Sequence, residues 1–401
     1  MNLSRRNWLR HAGSAGLIAS GFGSAQQAWS QAAPPAAATA APAQLQARTA
    51  GARTVVLGQS VPLTGAASEI GLAFAAGCRL YTSRFNESNL APGLQLKLIQ
   101  LDDGYDAQRA AANAQLLIEK ERADLLFGFV GTASSEAGAN VAARQGTLLF
   151  APFAAADKLR EPSHPHVFHV RPSMVDEASK IVRQCAAVGQ TRIALVGDDD
   201  VMGRAGLAAV QQALIEQKLQ PLVASVLMPP EGDKREAAIA SLRERSPQVV
   251  VLVSLSGTTA HAIRALRKSG YGGSFMAFSI VGIDPLYADL GKDIGGIVIS
   301  QVVPSPRRSA IGIVKEYLNA VDGSDQTASY EGLEGFIAAK TVGEAVRRAG
   351  RGFTSATLAK VMTAMTDYDV GGFRINLRPG LHDPARAIDL ISITADGRVL
   401  R

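Results

Sequence analysis

Leu125-Leu126-Phe127-Gly128-Phe129-Val130-Gly131-Thr132-Ala133-Ser134-Ser135 carries an apolar run straight into a glycine and a cluster of hydroxyls. The same order returns at an offset of 126 residues, where Val249-Val250-Val251-Leu252-Val253 leads to Ser256-Gly257-Thr258-Thr259. A short, unbroken aliphatic run reads as a strand buried on both faces. Glycine and hydroxyls behind it read as the opening of a helix, whose first N–H groups lack partners and, with the helix dipole, favour an anion or polar group. Two such turns can face each other across a cleft.

Outward from these turns, strands and helices alternate. The pattern predicts strands at Val55–Val61, Leu94–Leu101, Leu125–Val130 and Leu148–Ala151, with helices at Ser68–Phe85 and from the N-cap Asp106 to Glu121. A helix over Val175–Val188 follows and the order restarts, with strands at Arg192–Gly197, Leu222–Met228, Val249–Ser254 and Ser274–Ser279. The helices between them are Gly203–Gln217, Lys234–Arg245 and Thr258–Lys268. The remainder reads as a strand at Gly296–Val303, helices at Ser309–Asn319, Tyr330–Arg348 and Ser355–Met365, and short strands at Phe373–Leu377 and Ala387–Ile393. The fold class expected is α/β: two Rossmann-like lobes with parallel sheets, joined by a hinge that the chain crosses several times. The expected division is 53–170 with 303–370 for the first lobe and 171–302 with 371–401 for the second.

Composition limits what such a protein does. At 401 residues the chain has length for more than one core, and with 47% hydrophobic, 19% charged and only 5% aromatic residues those cores are aliphatic. The formal charge of +6 includes Arg5, Arg6 and Arg10 in a stretch of 33 residues without an acid, so the remainder stands at +3. Its Lys and Arg are scattered, as at Arg243-Glu244-Arg245, which is the pattern of solvated helix faces and not of a nucleic-acid surface.

Ser4-Arg5-Arg6-Asn7-Trp8-Leu9-Arg10, the mildly apolar Ala12–Ala25 and the small residues Ser30-Gln31-Ala32 follow the order of a bacterial twin-arginine export signal. Residues 1–33 are read as that signal and 34–52, rich in Ala and Pro, as a tether. A basic tail on a cytoplasmic protein is the competing reading. Export allows disulfides, but both cysteines, Cys78 and Cys185, fall in predicted helices of different halves and read as small buried residues.

Several fragments together resemble the leucine/isoleucine/valine-binding type of periplasmic solute receptor: Gln59-Ser60-Val61-Pro62-Leu63-Thr64-Gly65, Leu101-Asp102-Asp103-Gly104-Tyr105-Asp106, Gly128-Phe129-Val130-Gly131-Thr132, Ala151-Pro152-Phe153-Ala154-Ala155-Ala156, Gly203-Arg204-Ala205-Gly206-Leu207 and Tyr330-Glu331-Gly332-Leu333-Glu334-Gly335-Phe336. The likeness runs from Thr54 to Arg401. It implies a type I binding protein with three crossovers that closes on a small solute and delivers it to an ABC permease and ATPase complex in the inner membrane, as a periplasmic monomer without cofactor or metal. The twin-arginine translocase would be its partner during export. A sensing subunit of a signalling system shares this architecture and is the alternative.

Carried over by position, the resemblance places a ligand carboxylate on Thr132, Ala133 and the backbone N–H groups of Ala154 and Ala155. Ala155 stands where relatives have a hydroxyl, Ser279 where they place an acid for the ligand's ammonium, and Met202 where an aromatic covers the ligand. A buried ammonium without a carboxylate loses about 3–5 kcal/mol, so the expected solute is a carboxylate, an amide or another polar metabolite, unless Glu69 or Asp198 to Asp200 reaches the cleft. Ile70, Phe153 and Met202 are its expected apolar walls, and Ser256 opens the second-lobe turn.

Enzyme signatures are missing: there is no G-x-S-x-G, no Walker loop, no G-x-G-x-x-G after the first strand and no H-E-x-x-H. His164, His166 and His169 invite a metal reading, but strand geometry would send His166 and His169 to opposite faces. Asp198-Asp199-Asp200 would suit magnesium or, better, a helix-capping loop.

Overall fold

In the computed structural model, which describes residues 51–88, 90–229, 234–378 and 388–400, the first half builds one parallel sheet. Its elements are β1 (Arg53–Val61), α1 (Ser68–Glu87), β2 (Leu94–Asp102), α2 (Ala107–Glu119), β3 (Leu125–Phe127), α3 (Thr132–Gln145), β4 (Leu149–Phe150) and β5 (Val167–Phe168). The strand order is β2-β1-β3-β4-β5, every pair parallel. Asp106 caps α2 by accepting from the Arg109 N–H at 2.8 Å, as its position before the helix predicts. The expected export signal, 1–33, and all of the tether but its last two residues lie outside the described residues.

The second half runs α4 (Met174–Ala187), β6 (Ile193–Asp198), α5 (Val201–Glu216), β7 (Ala224–Met228), α6 (Lys234–Glu244), β8 (Val249–Val253), α7 (Ser256–Lys268), β9 (Ser274–Ala277), α8 (Ile283–Leu290) and β10 (Val298–Gln301). Its strands stand in the order β7-β6-β8-β9-β10, which repeats the order of the first sheet one for one. Every residue of β8 is buried, in keeping with an unbroken aliphatic strand at the centre of a covered parallel sheet. The duplication expected from the two turns is therefore a duplication of whole sheets.

The rest of the chain shuttles between them. Helices α9 (Gly312–Asp322), α10 (Tyr330–Ala349) and α11 (Ser355–Ala364) lead to a two-stranded ribbon, β11 (Tyr368–Asp369) with β12 (Arg374–Ile375). The strands β13 (Asp389–Ile393) and β14 (Val399–Leu400) then extend the second sheet with antiparallel pairings beyond β10. Helix α10 packs along α1 of the first lobe at a glycine crossing: a Cβ on Gly77 would stand 1.8 Å from the Gly332 carbonyl oxygen, and one on Gly335 would stand 2.2 Å from that of Phe74. Only residues without side chains allow the two backbones to touch in this way. This contact is what brings the late segment back to the first lobe.

The boundaries depart from expectation where the backbone turns early. The strand expected over Leu125–Val130 ends at Phe127, because Gly128 takes a φ of +60°; the strand over Leu148–Ala151 ends at Phe150, because Ala151 takes a φ of +51°. The helix expected from Thr258 opens two residues sooner at Ser256. Cys78 and Cys185 are both free and buried. Among the described residues, no helix is long and apolar enough to cross a membrane.

Candidate functional site

The carboxyl ends of both sheets meet around the opening turn of α3. Between β3 and α3 the chain inserts Gly128 to Gly131, and Val130 forms a single parallel bridge with Phe153, which fixes the loop after β4 beside the helix start. Gly131 is the N-cap, at a φ of +93°, and a Cβ there would lie 2.5 Å from the Tyr105 ring. With no cap side chain, the N–H groups of Thr132, Ala133 and Ser134 have no acceptor among the described residues. The N–H groups of Ala154 and Ala155 also lack one, and the Thr132 hydroxyl makes no hydrogen bond there although the residue is buried. A cluster of unpaired donors at a helix N-terminus is a seat for an anion or a polar oxygen.

The space these donors line is narrow. Thr132, Phe153, Ala154 and Ala155 from the first lobe meet Arg171 of the crossover, Met174 at the start of α4 and Met202 from the second lobe, around a gap of about 10 Å³, room for about one water. The Tyr105 hydroxyl lies 3.9 Å from Met202 Sδ across the lobes. A gap of this size admits nothing larger than a water unless the lobes part. Beyond that contact opens a larger cavity of about 590 Å³, lined by Ala66, Tyr105, Asp198, Arg235, Ser256 and Thr258 among others. A further pocket of about 200 Å³ holds Glu69, Ile70 and again Ser256.

Of the residues expected from sequence, Thr132, Phe153, Ala154, Ala155 and Met202 thus line one space. Glu69, Ile70 and Ser256 line the neighbouring pocket, and Ala133 contributes an N–H from the first turn of α3. The two turns are not superimposable residue for residue as the 126-residue offset suggests. Two residues separate β8 from α7 where four separate β3 from α3, so Ser256, and not Thr258, corresponds to Thr132 as first residue of its helix. Of the three aspartates, Asp200 caps α5 through the Gly203 N–H at 2.8 Å, Asp199 pairs with Arg204, and Asp198 accepts from the Leu255 N–H at 2.9 Å. His166 and His169 bond through Nε2 to the separate carbonyls of Ala139 and Leu159. No group suited to a metal occurs among the described residues.

Sequence reasoning missed the charged floor of the site. Arg171, in the crossover between β5 and α4, makes a bidentate pair with Glu334 of α10 at 2.9 and 3.0 Å, donates to the Ser279 hydroxyl at 2.9 Å and stacks 4.2 Å above the Phe153 ring. Glu177 of α4 stands 3.5 Å from the same guanidinium. The Ser279 position thus carries no acid but sits between an arginine and a glutamate. The readable signal was α10 itself: it is buried on nearly all sides yet contains Glu331 and Glu334, and charges buried in a helix call for partners.

Burial, with Asp284 and Glu334 close by, pushes the Glu331 carboxyl up to about 7 from an ordinary 4.5. A raised acid pKa means that the folded state holds the proton more tightly, so this group's contribution is fully present below about pH 4.5 and is lost as pH rises towards 7. The loss is on the order of 3 kcal/mol. Denaturation midpoints of the wild type and Glu331→Gln at pH 5 and pH 8 measure it: the variant should be the more stable at pH 8 and nearly equal at pH 5.

Residues 54–398 match the family model described as a periplasmic binding protein. The chain belongs to that family. Among solved structures, this binding protein resembles a possible leucine/isoleucine/valine-binding protein from Rhodopirellula baltica, at 27% identity and a TM-score of 0.81 over 88% of this chain and 97% of the other. It also resembles a substrate-binding periplasmic protein from Ralstonia solanacearum, at 27% and 0.77 over 86% and 99%. A branched-chain amino acid ABC transporter protein from Thermus thermophilus, solved with bound valine, shares the fold at 18% identity and a TM-score of 0.76, over 87% of this chain and 95% of that one. An amino acid binding protein of Pseudomonas aeruginosa is 22% identical over 240 residues; the alignment spans 59% of this chain and 63% of that relative's length. The Rhodopirellula, Ralstonia and Pseudomonas relatives are described as binding proteins and none of the four as an enzyme, in line with the lack of a catalytic signature in the sequence. The parallel sheets and two lobes are those of the type I fold.

Proposed function

We propose that this binding protein is an extracytoplasmic receptor that captures a small polar metabolite, amino-acid-like, an amide or an organic acid, between its lobes and presents it to an ABC permease and ATPase in the inner membrane. The observation that carries the reading is the uncapped start of α3, where Thr132 and the free N–H groups of Ala154 and Ala155 face the second lobe across a gap that only lobe opening can widen. The Thermus and Pseudomonas proteins, described as a branched-chain amino acid transporter protein and an amino acid binding protein, support the class of solute. An export signal in residues 1–33 belongs to the same proposal.

Mass spectrometry of the small molecule released on denaturing the purified protein tests it, with that molecule then expected to raise the melting temperature of refolded protein. Thr132→Ala should weaken its binding by roughly tenfold, the worth of one hydrogen bond to a charged group, while the melting temperature without solute stays nearly unchanged. A large loss of stability in the empty variant would show Thr132 to be structural. Recovery of a chemically altered molecule would point to turnover instead of capture.

A further inference from the structure

We infer that Glu177 is the residue that selects for a protonated amine on the solute, so that the receptor prefers a small zwitterion over the corresponding acid. The inference rests on the receptor reading above and gives the site a recognition group that the Ser279 position lacks.

Glu177 lies one turn into α4, whose start is held by a capping box between Ser173 and Asp176. It is 1% exposed and lines the same narrow gap as Thr132, Ala154 and Ala155. One of its oxygens is satisfied: Oε2 accepts from the Ser279 N–H at 3.1 Å and the Ser300 hydroxyl at 2.6 Å. The other, Oε1, has among the described residues only the guanidinium of Arg171 at 3.5 Å, a distance at which an ion pair lacks a good hydrogen bond. The charge of Arg171 is already matched by the shorter, bidentate pair with Glu334. No other Lys or Arg pairs with Glu177 among the described residues. The buried set of Arg171, Glu177 and Glu334 therefore carries one negative charge more than its single cation balances, and Glu331 stands close enough to act on Arg171 as well.

A buried carboxylate in excess is costly unless a cation joins it. The gap it faces is bounded at its other end by the unpaired N–H groups of α3, which favour an anion. The two ends thus want opposite charges. A solute with a carboxylate for the donors and an ammonium for Glu177 satisfies both at once, whereas an acid without the amine leaves Glu177 uncompensated. A dicarboxylate directed at Arg171 would meet a guanidinium that has already spent its best donors on Glu334.

The test is calorimetric titration of wild type and Glu177→Gln, first freed of any bound molecule, with matched pairs that differ only in the amine. These are L-leucine with 4-methylpentanoate, L-phenylalanine with 3-phenylpropanoate, and L-glutamine with 4-carbamoylbutanoate. In the wild type at least one amino acid should bind on the order of a hundredfold more tightly than its partner acid. In Glu177→Gln, which keeps acceptors for Ser279 and Ser300 and leaves Arg171 paired with Glu334, that preference should shrink to less than about tenfold, with the melting temperature of the empty protein unchanged or raised. Acids that bind the wild type as well as the amino acids, or a variant that loses both members of a pair equally along with stability when empty, would overturn the inference while leaving the receptor reading in place. If no member of any pair binds the wild type, the inference falls, and the receptor reading falls with it only if the purified protein also releases no small molecule on denaturation.

Discussion

Replacing Arg171 by methionine is expected to lower the stability of the empty protein by about 3–5 kcal/mol, the cost of removing one partner from a buried ion pair. The guanidinium is 3% exposed and is the only cation among the described residues paired with Glu177 and Glu334, so its loss strands two carboxylates, 1% and 5% exposed, away from water. They must then either remain charged without compensation or take up protons, which makes the deficit larger at pH 8 than at pH 5. Methionine keeps an unbranched apolar stem of similar length but gives up the guanidinium stacked 4.2 Å above the Phe153 ring, a loss of about 0.5–2 kcal/mol within that total. The check is a urea denaturation series at both pH values. Adding Glu177→Gln and Glu334→Leu to Arg171→Met should restore most of the loss; failure to do so would mean that the stacking on Phe153, not the pairing with the two carboxylates, holds the crossover.

Gly77→Ala is the second large effect. The new methyl would stand 1.8 Å from the Gly332 carbonyl oxygen, which is backbone of the facing helix and cannot swing aside as a side chain would. Helices α1 and α10 must separate, and the contacts of Phe74, Tyr81 and Phe336 along their seam weaken with them; the Tyr81 and Phe336 rings now meet edge-on at 5.2 Å. A cost of about 3 kcal/mol or more is expected, at the upper end of overpacking effects. Gly323→Ala is the matched control, because a Cβ on Gly323 would meet nothing within 4 Å among the described residues and its φ is −88°, and it should stay within about 0.5 kcal/mol of wild type. Comparable midpoints for the two variants would refute the backbone contact.

Much of this architecture was readable because buried parallel strands are written as plain aliphatic runs. β8 is Val249 to Val253 and nothing in it admits a second reading. The first-lobe half of the site was also readable, since the glycine and hydroxyls after β3 mark both a helix start and a set of free donors. What escaped was whatever depends on contact between distant parts of the chain. Arg171 and Glu334 are 163 residues apart, and no local period announces that they meet. The strands β11 and β14 have two residues each, too few to show alternation. The insertion of two extra residues before α3 shifted the match between the paired turns, because equal spacing of strands does not require equal loops.

The glycine crossing also sets an order of events. The first sheet is fully translated once Phe168 has been made, yet the helix that covers one side of α1 ends only at Ala349. At a translation rate of roughly 5–20 residues per second, the nascent first lobe waits on the order of ten to forty seconds with the Gly77 face of α1 bare. During that interval the apolar seam of α1 is open to chaperones and to other chains, so a slow codon run late in the message would be felt by the part of the protein made first.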